Sequence, residues 1–290
     1  MNRAAEKINL TRAREKRLYG EGVTVAVLDT GITQHPDLYD RIKVFKDFVN
    51  RKQEMYDDFG HGTHLTGILA GSGVVDERYR GVAPQVNIVS LKVLDRYGNG
   101  KRETVTEALK WILQNYQRYE IRIVNISVGT VRKDDKLDQE LMDAVEKLWD
   151  MGLTVICAAG NLGPRPYTIT APGSSRKVIT VGALQEYQMK YSGCGPTMEC
   201  ICKPDIVAPG SFITSCRSDF GPLNGYYCMK SGTSMATPMV TGAAALLMQK
   251  EPGITNVEIK MRLKDSARNL GRPHSVQGWG LLDVKELLNI

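Results

Sequence analysis

Val23-Thr24-Val25-Ala26-Val27-Leu28 is an unbroken apolar and β-branched run that ends in Asp29-Thr30-Gly31. A run with so little polar alternation predicts a strand buried on both faces, the kind found inside a parallel sheet. Residues 86–91, 122–128 and 153–158 repeat the pattern. Two helical segments lie among them: 103–118, with Val105, Leu109, Ile112 and Leu113 on one stripe, and 137–149, with Leu141, Ala144, Val145 and Leu148. Strands alternating with helices predict an α/β fold of three layers, a largely parallel β-sheet flanked by helices. Beyond residue 165 short strands and Gly/Pro turns take over, before helices at 235–250 and 256–270. No linker, repeat or low-complexity stretch divides the chain. The expected organisation is an N-terminal extension over 1–22 and one domain over 23–290.

The 290 residues are 42% hydrophobic and 24% charged, ordinary soluble-globular usage that excludes disordered and fibrous classes. Thirty-eight basic and 32 acidic residues leave a net charge of +6. The most basic stretch, Arg12 to Arg17, is broken by Glu15 and reads as a solvated helix face, so no nucleic-acid partner is expected. No apolar run has the length of a membrane span, so no membrane partner is expected either. Oligomeric state is not legible. Residues 1–20 are charged throughout, lack the apolar segment of a secretory signal, and read as a surface helix or a short regulatory tail. A start at Met1 favours a cytoplasmic protein, the alternative being a secreted chain already trimmed. The six cysteines are then expected to be reduced. Cys200-x-Cys202 has neither the spacing nor the second pair of a zinc site. Cys216 and Cys228 flank a turn, and a hairpin there could set them face to face; sequence leaves their pairing open.

Three segments depart from what packing alone selects. Asp29 ends the first buried strand, where a carboxylate must be paired or used. His61-Gly62-Thr63-His64 opens a helix, with Leu65, Ile68 and Leu69 behind it. Gly232-Thr233-Ser234-Met235 opens another, with Ser234 at its mouth. Serine, histidine and aspartate on three separate element ends suit nucleophilic acyl transfer. A serine hydroxyl attacks only when an imidazole takes its proton, and the imidazole needs a carboxylate to fix its tautomer. Taken singly, Asp29 reads as a turn or cap residue and Ser234 as an N-cap. Those readings predict no relation among positions 29, 61, 161 and 234.

Val27-Leu28-Asp29-Thr30-Gly31-Ile32, His61-Gly62-Thr63-His64, Ala158-Ala159-Gly160-Asn161 and Gly232-Thr233-Ser234-Met235-Ala236-Thr237-Pro238 resemble, in order, the signatures of subtilisin-like serine proteases. Similarity extends from about Val23 to Asp283. The resemblance implies a subtilisin-like peptidase domain over 23–290, with Ser234 as nucleophile, His61 as general base and then acid, and Asp29 as orienting carboxylate. Asn161 is then the side-chain donor to the tetrahedral oxyanion. The implied partners are extended polypeptide substrates, bound between two rails: Tyr97, Gly98, Asn99 and Gly100 on one side, Ser127, Val128 and Gly129 on the other. Ala158, Ala159, Gly160 and Thr170 then line the pocket for the residue before the scissile bond. Pro172 resembles the family's cis-proline near that pocket. Arg102 and Val105 shape the pocket three residues further upstream, and an arginine there suggests a taste for acidic substrate residues.

No cofactor is implied for the chemistry. Asp37 resembles a ligand of the family's calcium site. The partner loop 71–80 (GSGVVDERYR) lacks the asparagine-rich pattern, and Arg78 and Arg80 oppose a cation beside Asp76 and Glu77, so that site is expected to be absent or weak. His64 is read as a packed histidine, since no glutamate accompanies the pair as in a zinc protease. Cys157 is read as a small buried hydrophobe. The expected function is a serine endopeptidase; the alternatives are a narrow-specificity precursor-processing protease and a catalytically silent binding module of the same fold.

Overall fold

A computed structural model describes residues 1–129, 135–184, 186 and 189–290. The seven strands of its main sheet are β1 (Thr24–Asp29), β2 (Ile42–Asp47), β3 (Asn87–Lys92), β4 (Ile121–Ile126), β5 (Thr154–Ala158), β6 (Ile179–Ala183) and β7 (Ile206–Ala208). Their order is β2-β3-β1-β4-β5-β6-β7, and every neighbouring pair is parallel. All six residues of β1 are buried, as the VTVAVL run requires of an interior strand. Edge strand β2 keeps its lysines and is only partly buried.

The helices are α1 (Asn2–Lys7), α2 (Thr11–Glu15), α3 (His61–Ala70), α4 (Arg102–Asn115), α5 (Asp135–Asp150), α6 (Thr233–Lys250), α7 (Asn256–Ser266), α8 (His274–Gln277) and α9 (Val284–Leu288). Helices α4 and α5 pack on one another and on the sheet, and α3 packs on α6, giving the expected three layers. Helix α6 is apolar all round because it is buried from Thr233 to Met248. Its small residues permit close approach: a Cβ on Gly242 would stand 2.6 Å from Val82 Cβ. Among the described residues no helix is long and apolar enough to cross a membrane.

Two expectations are corrected. The N-terminal segment is not a surface tail, since Ile8, Leu10 and Ala13 are fully buried in the main core and Val284 N donates to Ile8 O at 2.8 Å. Nor do Cys216 and Cys228 face each other. In the hairpin of β8 (Ile213–Gly221) and β9 (Gly225–Lys230), Cys216 pairs with Tyr227 and Ser215 with Cys228. Cross-strand partners share a face and adjacent residues do not, so the two thiols lie on opposite sides of the ribbon. All six cysteines are free.

Candidate active site

Strands β3 and β4 flank β1, so the chain changes direction across the sheet at β1, and Asp29 stands at that strand's carboxyl end. Asp29 is buried, and its Oδ1 accepts from Thr30 N at 2.8 Å and from His61 Nδ1 at 2.7 Å. This assigns the proton to Nδ1 and leaves Nε2 for the cleft that His61 lines. Burial disfavours the charged ring, but the charge and hydrogen bond of Asp29 outweigh it, and His61 has a pKa raised above 6.5. Lys230 opposes this shift and Asp57 reinforces it.

Asp57, which sequence reading missed, locks the end of β1 to the start of α3. Its Oδ1 accepts from Thr30 Oγ1 and Gly60 N, each at 2.7 Å, and its Oδ2 from Thr63 N at 2.8 Å and Thr63 Oγ1 at 2.7 Å. Gly60, the N-cap, has φ 79°, a left-handed conformation natural to glycine. An acidic residue just ahead of a helix start is the signal that would have pointed to it. Lys92, fully buried, was missed as well: Nζ donates to Thr30 O at 2.5 Å and to Asp58 Oδ1 at 2.6 Å.

Ser234 is the second residue of α6 and lines the same cavity as His61. Its hydroxyl donates to Ser127 O at 3.0 Å rather than to the imidazole. Behind it runs a buried polar chain, Thr241 Oγ1 to Asn125 Oδ1 (2.8 Å) and Asn125 Nδ2 to Ser127 Oγ (3.1 Å), which ties α6 to the end of β4. Asn161 follows β5, and its Oδ1 accepts from Thr233 N at 3.0 Å and Thr233 Oγ1 at 3.1 Å. With the oxygen so held, the amide nitrogen is the end without a partner among the described residues.

The cavity has a volume of about 750 Å³ and is lined by Tyr97, Gly98, Asn99, Gly100, Arg102, Val105, Ser127, Val128 and Gly129, together with Phe59, Leu94, Leu141, Ala171 and Pro172. Asp95 Oδ1 shapes the first rail by accepting from Tyr97 N at 2.8 Å and Asn99 N at 3.0 Å. Gly98 has φ 76°, and a Cβ there would strike the Phe59 ring at 2.8 Å. Ala158, Ala159, Gly160 and Thr170 do not line this cavity; Ala158, Ala159 and Thr170 are buried. The peptide bond before Pro172 is cis. Arg102 Nε donates to Asp138 Oδ1 at 2.6 Å, and both side chains are largely buried. Its charge is compensated within the protein, which removes the basis for an acidic preference.

His64 is buried, with Nε2 at 3.1 Å from the carbonyls of Ile213 and Cys228, and burial lowers its pKa to about 3. It is a packing residue. Burial pushes the Cys157 thiol up to about 12, which excludes it as a nucleophile at neutral pH. The residues around Asp37 do not fit calcium. Its Oδ1 accepts from Val75 N at 3.0 Å and its Oδ2 from Tyr227 Oη at 2.7 Å. Asp76 is clamped to Arg78 at 2.6 Å, and the donors nearest Asp37 are His35 and Cys216, whereas calcium takes six to eight oxygens.

The family model described as the subtilase family matches residues 20–280. Serine protease AprX of Bacillus subtilis (strain 168) is 43% identical over 272 residues, which is 86% of this chain and 62% of AprX's length. Subtilisin Savinase of Lederbergia lenta is 34% identical over 285 residues, 96% of this chain and 95% of that one. Among solved structures, Sphericase matches with a TM-score of 0.79 at 28% identity, covering 91% of this chain and 92% of its own. Motif order, sheet topology and whole-domain similarity agree: the chain belongs to the subtilase family of serine endopeptidases.

Proposed function

We propose that the chain hydrolyses peptide bonds of extended polypeptides through an acyl-enzyme, with Ser234 as nucleophile, His61 as base and acid, Asp29 as orienting carboxylate and Asn161 as oxyanion donor. The observation that carries this is the 2.7 Å bond from His61 Nδ1 to Asp29 Oδ1 in the cleft that Ser234 shares. A substrate strand lies between the rails at 97–100 and 127–129. Ser234 exchanges Ser127 O for His61 Nε2, which takes its proton as Oγ attacks the carbonyl carbon. The carbonyl oxygen becomes an oxyanion held by Asn161 Nδ2 and by Ser234 N–H, one of the unpaired amides of the helix start. Collapse breaks the C–N bond and His61 gives its proton to the leaving amine. Water then enters, and the same cycle releases the acid and restores Ser234.

Subsidiary readings rest on smaller observations. Free thiols at exposed Cys200 and Cys202 support a reducing, cytoplasmic setting. Ile8 and Leu10 support an extension over 1–22 folded onto a peptidase domain over 23–290. The occupied carboxylate of Asp37 argues against a structural calcium there. The experiment is digestion of an unfolded protein: the wild type is expected to generate new N-termini and Ser234→Ala none. Cleavage by both, or by neither, contradicts the assignment.

A further inference from the structure

Sulfur recurs at every second position of Met198-Glu199-Cys200-Ile201-Cys202, on the segment between β6 and β7 and outside the residues that line the cleft. Cys200 and Cys202 are exposed and free, and Met198 is 65% exposed, whereas Cys157, Cys194 and Cys216 are buried. A free cysteine ordinarily packs as a small hydrophobe, as those three do. Two thiols and a thioether presented together to solvent have no such packing reason.

Backbone hydrogen bonds fix the presentation. Buried Thr197 holds Ile201 twice: Thr197 N donates to Ile201 O at 2.9 Å, and Ile201 N donates to Thr197 Oγ1 at 3.1 Å. Cys200 N donates to Thr197 O at 2.9 Å, closing a turn over Met198 and Glu199. Ile201 is half-buried between two exposed cysteines, so both thiols reach solvent from either side of one pinned residue. The ends of the segment are fixed as well. Gly195 N donates to Ser275 O at 3.0 Å, and the buried Lys203 Nζ donates to Val178 O at 2.9 Å and to Asp205 Oδ2 at 2.6 Å. Cys200 has φ 58°, a left-handed conformation natural to glycine and disfavoured for a residue with a Cβ.

The donor set selects the ligand. Thiolate and thioether are soft ligands that favour Cu(I) over hard cations such as calcium or magnesium. Structural zinc takes four ligands. Among the described residues no further His, Cys, Asp or Glu atom gathers with these thiols into a group of three. We propose that Cys200 and Cys202 form a surface site for Cu(I), with the Met198 thioether as a weaker third ligand. Both thiols give up their protons and the copper stays +1, so two protons leave for each ion bound and the site becomes a monoanion. The site is independent of the triad and of the assignment of Ser234.

The test uses the full chain carrying Ser234→Ala, which prevents self-digestion, titrated in the absence of oxygen with Cu(I) held by the chelator bicinchoninate. This chain is expected to withdraw one Cu(I) from the chelator. Cys202→Ser, and Cys200→Gly, which keeps the left-handed turn, are each expected to lower the affinity about a hundredfold or more, and Met198→Leu several-fold. Affinity is expected to rise about a hundredfold for each pH unit below the thiol range, because two protons leave. Zn(II) offered in place of copper is expected to bind at least about a hundredfold more weakly. Failure to withdraw copper overturns the inference. So does wild-type affinity in Cys200→Gly or Cys202→Ser, since the ion then sits on other groups. Zn(II) held as tightly as Cu(I) overturns the choice of ion, and a disulfide between residues 200 and 202 that survives mild reductant leaves no thiolates and overturns the site.

Discussion

Asn161 Oδ1 accepts from both the backbone N–H and the hydroxyl of Thr233, at 3.0 and 3.1 Å, so the residue preceding Ser234 decides which end of the amide is left to donate. One wrong amide rotamer would present an acceptor to a developing negative charge. Asn161→Ala is therefore expected to lower kcat by about 10²–10³ with KM little changed, because the missing donor acts on the transition state. Thr233→Val, which removes one of the two restraints, is expected to lower kcat by about tenfold or less. Steady-state kinetics on one peptide check both; a KM effect without a kcat effect contradicts the role.

The raised pKa of His61 fixes the acid side of the pH profile. The base must be neutral, so kcat/KM falls as pH drops through the His61 pKa, which lies above 6.5. Lys230 disfavours the charged ring. In Lys230→Gln that opposition is gone, His61 holds its proton to higher pH, and the acid limb is expected to move upward by less than about one pH unit. A downward move, or a wild-type limb below 6.5, contradicts this.

Asp57 gathers donors from Thr30, Gly60 and Thr63 on two elements. Asp57→Ala leaves them buried and unmet and is expected to destabilise by about 3 kcal/mol or more. Urea unfolding in a Ser234→Ala background, which prevents self-digestion, measures it. A loss below about 1 kcal/mol contradicts the network's role.

Asp37 is satisfied by Val75 and Tyr227 rather than by an ion. Asp37→Asn, again with Ser234→Ala, is expected to lower Tm by the same amount, within about 1 °C, in calcium and in chelator, because only a bound ion makes the difference depend on its concentration. A loss seen only with calcium contradicts the assigned chemistry.

Residues carrying their own pattern are legible in the sequence alone. The VTVAVL run can only be an interior strand, and His61 and Ser234 stand at helix starts that the following apolar spacing marks. What stayed hidden depends on partners far along the chain. The charge of Arg102 is set by Asp138 on α5, reached only after α4 and α5 pack. Cys216 and Cys228 needed a register, and one residue of offset turned them apart. Asp57 and Lys92 look like surface charges in sequence, and folding alone buries them around Thr30. The core role of Ile8 and Leu10 was obscured by the charges around them.

The most direct test is whether His61, held by Asp29, makes Ser234 nucleophilic, read as the rate of fluorophosphonate adduct formation followed by peptide mapping. The wild type is expected to carry one adduct, on the peptide containing Ser234, with none in Ser234→Ala and a rate lowered by about 10⁴ or more in His61→Ala. An adduct at another residue, or equal labelling of wild type and His61→Ala, would contradict it.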